Sequence, residues 1–339
     1  KLKNQKFCKE EVPEILKAIG NEELIQNEKK ILESLGEIFT DKDNLLFFHN
    51  NSFKGQEKEL VVINELLEEI LLPNTDNLYS IAEILKEDAE NAGDVDYLQE
   101  NWAKPMPAFP VEDGYVTGQL YDESGKFNLN NLVDDSGQVN VAAKQWFERL
   151  LVNVGLTAEL SEAVIDWQDA DNENVGPMGA EESYYRGLNN AYLPPNTKFH
   201  AVDELKMVRG FEGENYLKIA PYVSAISVKD AKVNVNTAPT IVLASLGEHL
   251  DVKAVQAALE TKRQNMEHFS NLEEFWKLEP FNQVNSDIQS SVQGLLGVKS
   301  SYFRAKIEVM LSERKRKFQT FFLREDKKIS VLSRSLTPE

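Results

Sequence analysis

Hydrophobic and polar positions alternate with two different periods along this chain. In residues 1–72 the period is helical. Ile15, Ile19, Leu24, Ile31, Leu35 and Ile38 recur at near-helical spacing with Lys and Glu between them, and Val61–Leu72 repeats the pattern until Pro73-Asn74 stops it. Residues 78–92 make a further amphipathic helix through Leu78, Ile81, Ala82, Leu85 and Ala89. Three prolines (Pro105, Pro107 and Pro110) then forbid a helix and predict an extended crossing.

The period switches to two at Tyr115–Asp122, where Val116, Gly118 and Leu120 alternate with Thr117, Gln119 and Tyr121. Glu123-Ser124-Gly125 reads as a turn and Lys126–Asn130 as the returning strand of a hairpin. A two-stranded hairpin is marginal alone, so more strands are required. They come from the far end of the chain. Phe303, Ala305, Ile307, Val309 and Leu311 alternate with Tyr302, Arg304, Lys306 and Glu308. Ser312–Arg316 reads as a charged turn, Lys317–Arg324 as a second strand and Lys328–Arg334 as a third. The helix at 78–92 is the candidate cover for this meander.

Between the two strand sets the helical period returns. It runs through Phe147–Leu156, Leu160–Trp167, Val202–Val208 (ended by Gly210), a helix opened by Pro239 at its first position, Val252–Lys262 and Leu272–Leu278. The pattern predicts an α+β protein in which a mostly α-helical domain is inserted between strands. Residues 1–75 form a helical N-terminal segment. Residues 76–131 and 300–339 form a discontinuous α+β domain, and residues 132–299 form the insertion.

Composition narrows the class. The chain has 339 residues, 42% hydrophobic and 27% charged, with one cysteine, Cys8, and four histidines. It can bury a core without staples, cannot close an intrachain disulfide and has little with which to build a Cys/His zinc site. The 37 basic residues face 56 acidic ones, a formal charge of −19 that repels nucleic acid and suits hard cations. No apolar run approaches the roughly 20 residues of a membrane span and no signal peptide opens the chain, so the sequence as written is expected to be soluble.

The sharpest local feature is acidic. From Leu151 to Tyr185 there are eight acids (Glu159, Glu162, Asp166, Asp169, Asp171, Glu173, Glu181 and Glu182) and no Lys or Arg. Asp169-x-Asp171-x-Glu173 has the alternating ligands of a calcium loop, although Asn174 and Ala180 stand where an EF-hand needs Gly and Glu. A solvated acidic loop and a pair of catalytic carboxylates are the other readings.

A second feature, Val233-Asn234-Val235-Asn236-Thr237-Ala238-Pro239, resembles the start of a helix-hairpin-helix DNA-binding module. Its hairpin, Gly247-Glu248-His249-Leu250-Asp251, holds two acids and one glycine, and residues 228–299 carry seven Lys/Arg against nine Asp/Glu. A structural core is the stronger reading, with DNA binding the alternative. The basic C-terminal stretch reads as charge protecting strand edges.

Seven strings in order carry a family resemblance. They are Leu98-x-x-x-Trp102-Ala103, Phe127–Leu132, Ile165-Asp166-Trp167-x-Asp169-Ala170-Asp171, Gly179-Ala180-Glu181-x-x-Tyr184-Tyr185, Asp203-Glu204-Leu205-x-x-Val208-Arg209-Gly210, Val233–Pro239 and Ser301-Tyr302-Phe303. Over about residues 78–339 the chain resembles general secretion pathway protein K, a minor pseudopilin of bacterial type II secretion.

The resemblance implies a pilin-like fold, with an N-terminal helix over an antiparallel sheet and a large helical insertion. It implies a structural, non-enzymatic role at the tip of the periplasmic pseudopilus, with minor pseudopilins I and J as partners and no nucleic acid. It also implies Ca²⁺ in the insertion, with Asp169, Asp171, Glu173, Glu181 and Glu182 as ligand candidates. Family members are anchored in the inner membrane by an apolar leader helix. Residues 1–72, charged throughout, do not match that segment, so the anchor is expected to be absent from this chain.

Overall fold

In the computed structural model, the described residues are 81–336 apart from 92–93, 112–113, 229–230 and 312–313. The helices expected over residues 1–72 lie outside them. The described residues belong to one compact unit.

Helix α1 (Ile81–Asn91) is followed by strands β1 (Phe109–Val111), β2 (Gly114–Asp122) and β3 (Phe127–Asn128). Helices α2 (Val141–Asn153), α3 (Leu160–Asp166), α4 (Glu182–Arg186) and α5 (Glu214–Ile219) precede strands β4 (Val223–Ser224) and β5 (Val233–Asn234). Helices α6 (Thr240–Ala244), α7 (Val252–Gln264), α8 (Leu272–Lys277) and α9 (Ser286–Val292) lead to β6 (Leu296–Gly297), β7 (Tyr302–Leu311), β8 (Arg314–Glu325) and β9 (Lys328–Leu336).

The main sheet has the order β1-β2-β7-β8-β9, antiparallel throughout. Its period-2 pattern puts Val116 and Leu120 of β2, Phe303, Ala305, Ile307 and Val309 of β7, and Phe318 and Phe322 of β8 in the core. β8 and β9 are joined by a two-residue turn at Asp326-Lys327, where Asp326 adopts φ 52°, a left-handed conformation that Asp tolerates. Of the charged turn expected at 312–316, residues 314–316 belong to β8 instead. Helix α1 packs on β9 with Leu85 fully buried, and the Trp102 ring meets Phe303 edge-on at 5.2 Å.

β2 and β7 are neighbours, paired from Gly114↔Leu311 to Asp122↔Phe303. Everything between Asp122 and Tyr302 therefore leaves and re-enters at one end of this strand pair. The hairpin expected at 115–130 does not form. β3 pairs instead in parallel with β4, almost a hundred residues later. The asparagines explain this. Asn128 accepts from the Ile226 N–H and donates to its carbonyl, both at 3.0 Å, and Asn130 does the same with Phe199 at 2.8 and 2.9 Å. Side-chain amides that imitate a backbone ladder hold this segment to remote loops rather than to β2.

The helical part packs around Phe127, Trp146, Phe147, Leu150, Phe199, Leu243 and Phe275, all buried. Asn140 caps α2 by accepting from the Ala143 N–H, and Trp146 Nε1 donates to the Val242 carbonyl at 2.9 Å. Two expectations shift. Val202–Met207 is a 3₁₀ helix, and Pro239 sits one residue before α6 rather than at its first position. The Val233–Pro239 string is an internal brace. Asn234, fully buried, donates to the Asp96 carbonyl (3.0 Å) and Ser300 Oγ (2.7 Å), while Asn236 accepts from the Phe269 N–H at 2.7 Å.

Candidate metal centre

Helix α3 buries Leu160, Ala163, Val164 and Ile165 and ends on an acid. Asp166 is fully buried, and its carboxylate folds the following loop back on itself. Oδ1 accepts from the Val175 N–H at 3.0 Å and Oδ2 from the Ala180 N–H at 2.7 Å. One turn earlier, Glu162 Oε2 accepts from the Met178 N–H at 2.8 Å. The glycines make this approach possible. A Cβ on Gly176 would lie 2.3 Å from the Glu162 carboxylate, and one on Gly179 would lie 2.4 Å from Asp166 Oδ2. Arg209 Nη1 donates to the Gly179 carbonyl at 2.8 Å and fixes the far side of the loop.

This folding brings one carboxylate oxygen each from Asp166, Asp169 and Glu181 within 4.8 Å of one another. Asp169 is 6% exposed and Glu181 2%. Asp169 Oδ1 and both Glu181 oxygens are buried with no hydrogen-bond partner. Among the described residues no Lys or Arg pairs with any of the three.

The electrostatics follow. Burial, then repulsion from Asp171 and Asp166, pushes Asp169 up to about 7. Burial, then Asp166, Asp169 and Asp171, pushes Glu181 up to about 7 as well. Burial also raises Asp166, against the pull of its two backbone hydrogen bonds. Orphaned carboxylate oxygens converging in a buried site are the donor set of a hard divalent cation, and the residues fit Ca²⁺.

Of the five candidates read from the sequence, the structure brings together Asp169 and Glu181. Asp171 is exposed and its Oδ1 accepts from the Glu173 N–H at 2.8 Å, yet its charge reaches the cluster. Glu173 is exposed, and Glu182 pairs with Arg186 at 2.6 Å; neither joins the three. Asp166 was not among the candidates. Its signal was available: an acid closing a mostly apolar helix, three residues before Asp169.

A second carboxylate trio, Asp88, Asp96 and Glu100, lies where α1, the connector and β8 meet. Here Arg324, 3% exposed, donates from Nη1 to Asp88 (2.6 Å) and from Nη2 to Asp96 and to the Ser300 carbonyl (2.8 Å). Its guanidinium lies 4.8 Å from the Phe303 ring centroid. Burial works to lower its pKa, but Asp96 and Asp88 outweigh burial and raise it. Next to it Asp122 Oδ2 accepts from Thr237 and Ser300, both at 2.5 Å, which ties the end of β2 to the insertion.

The molecule is thus an α+β protein whose helical part is built between two paired strands of an antiparallel sheet and carries a buried acidic centre. Among the described residues no helix is long and apolar enough to cross a membrane. Residues 125–228 and 233–299 match two family profiles, both described as type II secretion system (T2SS), protein K. The chain is similar to type II secretion system protein K of Aeromonas hydrophila, with 30% identity over 75% of this chain and 80% of the relative. It is similar to that of Pseudomonas aeruginosa at 34% identity, over 74% of each. The fold is that of a chain in the crystal structure of the GspK-GspI-GspJ complex from enterotoxigenic Escherichia coli, with TM-score 0.71 and 19% identity, covering 86% of this chain and all of the other. The chain belongs to the type II secretion system protein K family. The second profile spans the very segment that resembled a helix-hairpin-helix module, so the DNA-binding alternative is not supported.

Proposed function

We propose that this chain is a structural minor pseudopilin that acts at the tip of the type II secretion pseudopilus, in the periplasm, in complex with minor pseudopilins I and J. The observation that carries the reading is the family match across the insertion, joined to a fold shared with a chain of a K–I–J complex. On this reading residues 76–131 and 300–339 are the pilin-like part, and residues 132–299 are a graft between its strands.

Size-exclusion chromatography of the chain with purified soluble domains of I and J tests it. A shared, heavier peak is expected. Three separate peaks at micromolar concentration overturn the partner assignment.

The same reading places a calcium ion on Asp166, Asp169 and Glu181, with Asp171 beside them. The support is the set of buried oxygens without partners. Bound there, the ion supplies the positive charge the loop lacks and locks the segment between α3 and α4. It does no chemistry. Removing it with a chelator is expected to lower the melting temperature, and an unchanged melt refutes the ion.

A further inference from the structure

Arg149 and Arg263 are both half-buried arginines of the helical part, and burial is the main cause lowering the pKa of each. They differ in what they touch. Arg149 donates to the carbonyls of Ser245 (2.7 Å) and Leu246 (3.0 Å). The side chain of Arg263, in the last turn of α7, has neither a hydrogen bond nor an ion pair among the described residues. A guanidinium stripped of part of its water and given no acceptor is costly unless something else supplies one.

Arg263 lines a shallow open cleft with Tyr97, Lys262, Glu267, His268 and Phe269. The Tyr97 and His268 rings stack at 4.1 Å with 9° between their planes and make a flat wall. Lys262 is already engaged: its Nζ lies 3.3 Å from Glu267 Oε2 and 4.8 Å from the Phe269 ring centroid. Glu260 is the acid whose charge reaches Arg263. The local charges therefore leave one cation without a bonded anion, with two glutamates nearby to repel a dianion. A planar monoanion suits this balance, and the guanidinium fork matches a carboxylate with two parallel N–H donors.

We propose that this cleft binds a single carboxylate group, held by the Arg263 guanidinium against the Tyr97–His268 wall. The proposal is independent of the calcium centre and of the partner assignment.

The test is NMR on the ¹⁵N-labelled full chain. Acetate is titrated against chloride at constant ionic strength, following the Arg263 Nε–H and the His268 ring. Saturable shifts at about millimolar acetate are expected. Arg263→Gln is expected to weaken binding about tenfold. Glu267→Gln removes the competing acid and is expected to tighten binding about threefold, a gain that misfolding cannot imitate. A capped Ala-Glu-Ala peptide run in parallel separates the sources. Binding at least as tight as acetate points to a polypeptide carboxylate, and binding of acetate alone points to a small free one. Shifts that do not saturate, unchanged binding in the Arg263 variant, or sulfate binding tighter than acetate each overturn the proposal.

Discussion

The two carboxylate trios differ in a single partner. Asp88 and Asp96 pair with Arg324, which is buried with them, and Glu100 beside them accepts from the Tyr97 N–H and Trp102 Nε1. Asp166, Asp169 and Glu181 meet no Lys or Arg among the described residues, and Asp169 and Glu181 keep buried oxygens without donors. The first trio is complete at folding. The proposed calcium ion would complete the second. A cluster of acids is therefore not a metal site by composition.

The largest test removes that internal cation. Arg324→Met leaves Asp96 and Asp88 buried without their shared partner and is expected to cost about 3–5 kcal/mol in urea denaturation. A loss below about 1 kcal/mol breaks the comparison, because the trio then does not depend on its arginine.

The next test supplies or withdraws the external cation. Calcium at a hundredfold excess over Kd is expected to stabilise the chain by about 2.7 kcal/mol relative to chelator. Asp169→Asn should lose most of this shift. In chelator, the same variant should melt higher than the parent, because one buried repulsive charge is gone. Opposite signs in the two buffers are the signature; a drop in both reduces Asp169 to an ordinary packing residue.

A smaller effect reads the first trio by pH. Glu100 is pushed up to about 7 by burial, while its backbone and Trp102 hydrogen bonds pull the other way. Its folded pKa lies above the unfolded one, so between them the folded state holds the proton that the unfolded state has released. This group's contribution to stability is present at pH 4 and is lost as the pH rises toward 7 and beyond. Glu100→Gln keeps an acceptor for Tyr97 and Trp102. It should flatten the stability profile between pH 5 and 8, and an unaltered slope assigns the dependence elsewhere. Least of all, Glu173→Gln and Glu182→Gln should change the calcium shift by no more than about 0.5 kcal/mol. A larger loss would place one of them on the ion.

The sequence made the two trios unequally legible. Residues 151–185 announced themselves because eight acids without a base stand out in one dimension. Their ranking was harder. Asp171 and Glu173 have the spacing of ligands, but Asp166, hidden at the end of a mostly apolar helix, is the one whose backbone contacts shape the loop. The Arg324 trio could not be read at all, since the arginine lies more than two hundred residues from the acids it meets and each looks ordinary locally. The sheet shows the same limit. Period-2 alternation revealed β2, β7, β8 and β9. The supposed hairpin at 115–130 failed because alternation says where a strand is and not what it pairs with. That choice was made by Asn128, which reaches Ile226 98 positions ahead, and by Asn130, which reaches Phe199 69 positions ahead.

The joint between Asp122 and Phe303 has an evolutionary consequence. Because these residues face each other across adjacent strands, about 5 Å apart, the long excursion between them begins and ends at one point. Loop closure grows more costly only slowly with length, so such a port can accept cargo of very different size without shifting the strands on either side. What the port does not accept freely is a change at its rim. Asp122, Ser300 and Arg324 fasten cargo and frame to each other there. Lineages of this fold can thus lengthen, shorten or exchange what hangs from the sheet while the rim stays under tight restraint.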